Sequence, residues 1–300
     1  MRILLIGGNG YIGSLFYKTT AHLVESVDIC LFQQDLNYSH KINYDNLNID
    51  DFDIIICLAG HSSVPMCEFT PQRSWTNNVT HFHNLCERLR PDQKLIYASS
   101  ASVYGTTAGL STEDSDINFN VLNHYDLQKI TVDLIANKYI AEGKNIVGLR
   151  FGTVNGASPN TRSDLMINSM VKSAIENGIV NVKNSHIRRA ILGINDVCRA
   201  LDLLIEINVP SGQYNLASFN STVGEIANKV AEYTGAKIVE HPNDRLAYDF
   251  ELSTEKFIQT TGFMFDDTIE NLIKGLHNHI DSIKFDVRDN DRHFQHYLPK

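Results

Sequence analysis

The chain has 300 residues, 43% hydrophobic and 20% charged, enough to bury a sizeable core in one large domain or two intimately joined ones. A formal net charge of −9, with no basic cluster denser than Arg188-Arg189, excludes a protein that wraps nucleic acid. No apolar run reaches the roughly 20 residues of a membrane helix, and the N-terminal stretch Ile3 to Ile6 is far shorter than a signal-peptide core, so a soluble cytoplasmic protein with no membrane partner is expected.

Met1 to Gly7 reads as a buried strand that runs into Gly7-Gly8-Asn9-Gly10-Tyr11-Ile12-Gly13 and then into the helix-compatible Ser14 to Lys18. In that context the glycines let the backbone turn tightly and approach a pyrophosphate, whose charge meets the helix N-terminus. Val27 to Phe32 predicts a second strand, ending in Gln33-Gln34-Asp35. A carboxylate at that strand end holds the adenosine ribose and selects NAD. Gln33 occupies the place, Asp35 lies two further on, and no arginine stands nearby for a 2′-phosphate, so NAD is favoured and NADP stays open.

A short third strand covers Ile42 to Asn46, where Asp45 either faces the adenine edge or serves as a turn residue. Asp53 to Gly60 is a clear fourth strand, and its end, Leu58-Ala59-Gly60, opens into the loop His61-Ser62-Ser63-Val64-Pro65, at the strand terminus where ligands bind in open sheets. A helix from Trp75 to Leu89 carries Asn77 and Asn78 and leads to a fifth strand, Lys94 to Ala98. That strand discharges into Ser99-Ser100-Ala101-Ser102-Val103-Tyr104-Gly105.

Tyr125-Asp126-Leu127-Gln128-Lys129 precedes apolar residues at helical spacing, Ile130, Leu134 and Ile135, which stacks the tyrosine and the lysine one above the other. A phenol ordinarily ionises about three decades above neutrality, a difference of roughly 4 kcal/mol. An ammonium ~4 Å away at an effective dielectric of about 20 supplies about that much. Alone the spacing is common, and two solvated helix residues satisfy it equally. Five cysteines (Cys30, Cys57, Cys67, Cys86, Cys198) contain no C-x-x-C pair, and the histidines show no ligand spacing, so neither a disulfide framework nor a metal site is expected.

Taken together, these motifs resemble the extended short-chain dehydrogenase/reductase superfamily, and within it the NAD-dependent epimerase/dehydratase group acting on nucleotide sugars. The resemblance rests on Gly7-x-x-Gly10-x-x-Gly13, Leu58-Ala59-Gly60, Asn77-Asn78-Val79, Ser99 to Gly105 and Tyr125-x-x-x-Lys129. It continues through Leu149 to Val154, Arg189 ahead of Gly193 to Val197, and Gly212 to Ala217, reaching about Leu276. The implied fold is α/β: a Rossmann-type doubly wound parallel sheet with a smaller, discontinuous α/β substrate-binding lobe.

The resemblance implies that Gly7, Gly10 and Gly13, with Tyr11 and Ile12 between them, hold the pyrophosphate, and that Leu58, Ala59, Gly60, Asn78 and Ser99 complete the cofactor site. Tyr125 is the base, Lys129 favours its phenolate and holds the nicotinamide ribose, and Ser100 bonds the reacting sugar oxygen. Ser62 and Thr153 are assigned to the substrate. Arg189 would clasp the nucleotide diphosphate and Asn168 would contact it, the alternatives being a surface charge and an ordinary polar residue. His124 and Gln128 depart from the usual residues around the base. Ala101 and Ser102 stand where sugar 4,6-dehydratases keep an Asp-Glu pair, so dehydration is disfavoured; C4 epimerisation, or a single reduction of a 4-keto nucleotide sugar, remains. A sensor or scaffold that binds dinucleotide without turnover is the rival reading.

The expected division places residues 1–155 and about 188–210 in the dinucleotide domain, about 156–187 and 211–276 in the lobe, and 277–300 in a polar extension. The resemblance also implies a homodimer, for whose four-helix bundle the helices near Trp75 to Leu89 and Lys129 to Ile140 are the candidates.

Overall fold

The computed structural model describes residues 1–28, 39–41, 47–107, 109–120, 123–242 and 248–280. In chain order the first half runs β1 (Ile3–Ile6), α1 (Tyr11–Thr19), β2 (Val24–Asp28), β3 (Ser39–Lys41), β4 (Ile54–Cys57), α2 (Val64–Phe69), α3 (Pro71–Trp75), α4 (His81–Arg88), β5 (Lys94–Ser100) and β6 (Leu110–Ser111). Then follow α5 (His124–Ala141), β7 (Asn145–Phe151), β8 (Thr153–Asn155), α6 (Met166–Asn177), β9 (Ile179–Val182), β10 (Arg188–Gly193), α7 (Ile194–Glu206) and β11 (Gly212–Leu216). The chain continues through β12 (Phe219–Thr222), α8 (Val223–Thr234), β13 (Lys237–Glu240), β14 (Glu251–Leu252), α9 (Glu255–Thr261) and α10 (Ile269–Asn278).

Seven parallel strands form the main sheet in the order β11-β7-β5-β4-β1-β2-β3. Strand periodicity explains the layering. Ile3 and Leu5 pack with Phe16 of α1 and Val197 and Leu201 of α7, whereas Leu4 and Ile6 pack with Phe82 and Leu85 of α4 and Val132 and Ala136 of α5. Both faces are therefore covered, as the doubly wound expectation requires. Among the described residues no helix is long and apolar enough to cross a membrane.

The second lobe departs from the expected division. β11 belongs to the main sheet beside β7, so the lobe does not begin at 211. β10 pairs with β8 and β12 in a separate three-stranded sheet, so 188–193 leave the dinucleotide domain, while α7 returns to pack on α1. The lobe's own core joins α6, α8 and α10 with β9. Of the expected polar extension, 277–278 end α10, and 281–300 lie outside the described residues.

α5 is fixed at its start and in its middle. The Asn123 side chain accepts the Asp126 amide at 2.9 Å, an N-cap that starts the helix. Two turns on, Asp133 accepts Arg150 Nε of β7 at 2.8 Å and the Tyr97 hydroxyl of β5 at 2.8 Å; Arg150 also donates to Tyr104 Oη at 2.7 Å. All four residues are buried. Removing the carboxylate strands a guanidinium in the interior, so Asp133→Ala is expected to lower unfolding free energy by about 3–5 kcal/mol in a urea titration.

Candidate functional site

The glycine turn, the loop after β4, the end of β5 and the first turns of α5 enclose one cavity of about 310 Å³ with residues of the second lobe. Gly7 has φ +96°, and a Cβ there would meet the Ala59 nitrogen at 2.5 Å; one on Gly13 would meet the Gly7 carbonyl at 2.2 Å. Only bare backbone lets β1, α1 and the loop after β4 come this close. α1 starts at Gly10 without a side-chain cap, and Gly10, Tyr11, Ile12 and Gly13 all line the cavity.

Ser100, Tyr125 and Lys129 line the same cavity. Lys129 Nζ donates to the Ala98 carbonyl of β5 at 2.8 Å and lies 5.8 Å from the centre of the Tyr125 ring. The Ser100 hydroxyl accepts from the Ser102 amide at 3.2 Å and donates to Ser102 Oγ at 3.0 Å. Leu58, Ala59, Gly60, Ser62, Ser99, Thr153 and Arg189 also face the cavity.

Two adjacent arginines have different fates. Arg188 is neutralised by Asp249 at 3.0 Å and Glu251 at 3.1 Å. Arg189 has no ion pair among the described residues and stands 6.0 Å from the Phe250 ring centre; burial pulls its pKa below the ordinary guanidinium value. An under-compensated guanidinium opening into a cavity is a natural anion site.

Two assigned residues stand behind the wall instead. Asn78 accepts the His61 amide at 2.7 Å, donates to the His61 carbonyl at 3.0 Å, and donates to Gln128 Oε1 at 2.7 Å. It shapes the Gly60-His61 loop rather than lining the cavity. Asn168, fully buried, accepts the Gly156 amide at 2.9 Å and donates to the Arg162 carbonyl at 2.8 Å and Tyr11 Oη at 3.3 Å, so its amide is committed to protein and the expected diphosphate contact is corrected. Gln33 and Asp45 lie outside the described residues.

Sequence reasoning passed over several lining residues. Asp28, at the end of β2 and 21 residues after Gly7, accepts the Asn9 amide at 3.0 Å. The apolar run beyond it points instead to Gln33, although a spacing of about 20 residues from the glycine turn is itself the signal for the ribose carboxylate. Arg162 forms a bidentate pair with Asp164 (2.9 and 2.5 Å) and donates to the Ser62 carbonyl and hydroxyl, both at 3.1 Å. Burial opposes its charge and Asp164 more than offsets that, leaving the pKa above its ordinary value. Tyr248 and Phe250 also line the cavity, and no local motif marks them.

The residues fit a dinucleotide. An uncapped helix N-terminus suits phosphate, Asp28 suits ribose hydroxyls, and the Ser99 hydroxyl is buried without a hydrogen-bond partner among the described residues.

The model of the NAD dependent epimerase/dehydratase family matches residues 3–217. The chain belongs to that family. Protein CapI of Staphylococcus aureus is 27% identical over 69% of this chain and 70% of its own length. UDP-glucose 4-epimerase of Mycoplasma genitalium is 26% identical over 81% and 82%. Among solved structures, MoeE5 in complex with UDP-glucuronic acid and NAD superposes with a TM-score of 0.83 at 20% identity, covering 94% of this chain and all (100%) of that one. UDP-glucuronic acid 4-epimerase from Bacillus cereus gives 0.82 at 20% identity, over 94% and 99%. At that identity the two structures establish the Rossmann-type fold, and family membership carries NAD as the cofactor.

Asn168→Ala is expected to cost about 2–3 kcal/mol in chemical denaturation, because it leaves buried amide and carbonyl partners unpaired. A variant as stable as the parent would return Asn168 to the ligand side.

Proposed function

We propose that the chain is an NAD-dependent nucleotide-sugar epimerase that oxidises and re-reduces the sugar at C4. The observation that carries this reading is the convergence of Ser100, Tyr125 and Lys129 on the cavity that the glycine turn opens into, with Ala101-Ser102 where a dehydratase needs two acids. Tyr125 takes the proton from the C4 hydroxyl. Lys129, anchored on Ala98, places its ammonium beside Tyr125 and favours the phenolate that accepts this proton. Ser100, its own hydrogen bonds running to Ser102, meets the oxygen that becomes a carbonyl. NAD, when bound, accepts the C4 hydride and supplies it again. Arg189 holds the diphosphate, and Asp28 and the α1 N-terminus hold the adenosine ribose and pyrophosphate.

The sugar then turns within the cavity and is reduced on its other face. In the reductase alternative a 4-keto sugar arrives from outside and leaves after one reduction. The UDP-glucose 4-epimerase relatives support the first. The two differ in cofactor handling: an epimerase purifies with NAD retained and turns over without added cofactor, whereas a reductase consumes reduced cofactor stoichiometrically.

With UDP-sugars and dTDP-sugars as substrates, Tyr125→Phe is expected to lower kcat by about 10²- to 10⁴-fold while leaving NAD affinity intact. Arg189→Met is expected to raise the KM for the nucleotide sugar roughly 10- to 100-fold, the worth of a charge-assisted hydrogen bond. Turnover that survives Tyr125→Phe refutes the base; NAD binding with no turnover on any sugar favours the binding-only rival.

A homodimer is part of the same proposal. Leu127 and Leu134, seven residues apart on α5, and Trp75 of α3 are 37%, 54% and 38% exposed although the opposite side of α5 is buried. Leu134→Glu is expected to convert a dimer into a monomer in light scattering; a monomeric parent protein removes the proposal.

A further inference from the structure

The residues between β8 and α6, 156–165, form neither helix nor strand, yet Ser158, Asn160, Thr161, Arg162 and Ser163 are all buried. Connecting segments ordinarily run over the surface, where water satisfies their polar groups, so this one must find its partners within the protein. It is first closed on itself. Thr161 Oγ1 accepts the Ser158 amide at 2.8 Å and donates to the Ser158 carbonyl at 2.6 Å. Asn168 of α6 ties the start to the end, accepting the Gly156 amide at 2.9 Å and donating to the Arg162 carbonyl at 2.8 Å.

Its remaining donors reach the glycine turn. Ser158 Oγ donates to the Tyr11 carbonyl at 2.6 Å and lies 3.0 Å from Ser14 Oγ, and Asn160 Nδ2 donates to the Asn9 carbonyl. The Asn9 amide is held by Asp28 at 3.0 Å, so both backbone groups of that residue are fixed, one from the main sheet and one from this segment. Further along, Arg162 Nη1 donates to the Ser62 carbonyl and hydroxyl, both at 3.1 Å, and so ties the segment to the loop after β4. A glycine-rich turn has more conformational freedom to lose than any other when it closes on a phosphate. A turn whose carbonyls are already tied has lost that freedom before the ligand arrives, and binds it more tightly for that reason.

We propose that 158–162 is a latch on the cofactor site, in which Ser158 and Asn160 are positioning residues that hold the glycine turn in its NAD-binding shape and Arg162 fastens the segment to the Ser62 loop. The latch deepens the epimerase reading above, and rests on it only for the demand that the cofactor be retained from one turnover to the next.

The test is the rate at which excess NAD chases bound NADH, followed by nicotinamide fluorescence, together with calorimetric titration of NAD and of UDP-glucose, in wild type, Ser158→Ala, Asn160→Ala and Asn160→Leu. Ser158→Ala and Asn160→Ala are each expected to weaken NAD about tenfold, with NADH release faster by a similar factor and UDP-glucose affinity changed less than about twofold. Asn160→Leu restores the volume without the donor and should behave as Asn160→Ala, whereas a segment that only filled space would regain wild-type affinity there. If Asn160→Ala does not fold, Ser158→Ala, which removes a single oxygen, decides by the same readings. Unchanged NAD affinity and release in the folded variants, recovery in Asn160→Leu, or an equal loss of UDP-glucose overturns the latch and leaves the proposed function standing. The expected NAD effects in a protein that neither binds nor turns over any sugar nucleotide support the latch and overturn the proposed function alone.

Discussion

Everything at the site depends on how firmly α5 is held to the sheet. The Lys129 ammonium reaches back to the Ala98 carbonyl, and one turn later Asp133 is locked between Arg150 and Tyr97. Two consecutive turns of one helix are thus tied to β5 and β7, one by a charge-assisted bond at the cavity and one by an ion pair in the interior. A tyrosine one turn before the first tie has little room to drift. The fold's stability and the placement of the base are one problem, solved with the same residues.

The opposite wall is built by amides instead of charges. Between α3 and α4 the helix widens into a π-type turn at Thr76–Thr80, which carries Asn77 and Asn78. From there Asn78 pairs with both polar groups of the His61 backbone and with Gln128, whose own amide donates to Ser74 Oγ at 2.8 Å. Gln128 is fully buried and directly precedes Lys129. The departure from the usual residue there is therefore a cross-link: it joins the helix of the base to the loop beneath the cavity. An isolated amide at that depth costs stability unless every group finds a partner, and here the network supplies them.

Much of this was legible in the linear chain where local patterns carry the information. Glycine spacing after an apolar strand marks the turn, Y-x-x-x-K marks one face of α5, and the serine-rich exit from β5 places Ser100 at a sheet edge. The misreadings share a cause, in that pairing and burial are properties of distant residues. Asp28 was hidden because hydrophobicity continues past the point where β2 reaches the glycine turn. Asn168 has the composition of a ligand, yet its partners Tyr11, Gly156 and Arg162 leave it nothing to give one. The return of 212–216 to the main sheet is set by pairing with β7, which nothing in those five residues announces.

The passage from the large sheet to the small one has a mechanical consequence. β7 gives way to β8 across a single residue, Gly152, whose amide donates to the Leu216 carbonyl at 2.9 Å and whose missing side chain leaves the Ala190 carbonyl 2.7 Å from where a Cβ would sit. At that point the two sheets share one residue, with no connecting segment between them. A side chain at Gly152 would therefore pry the seam apart and disturb both sheets at once.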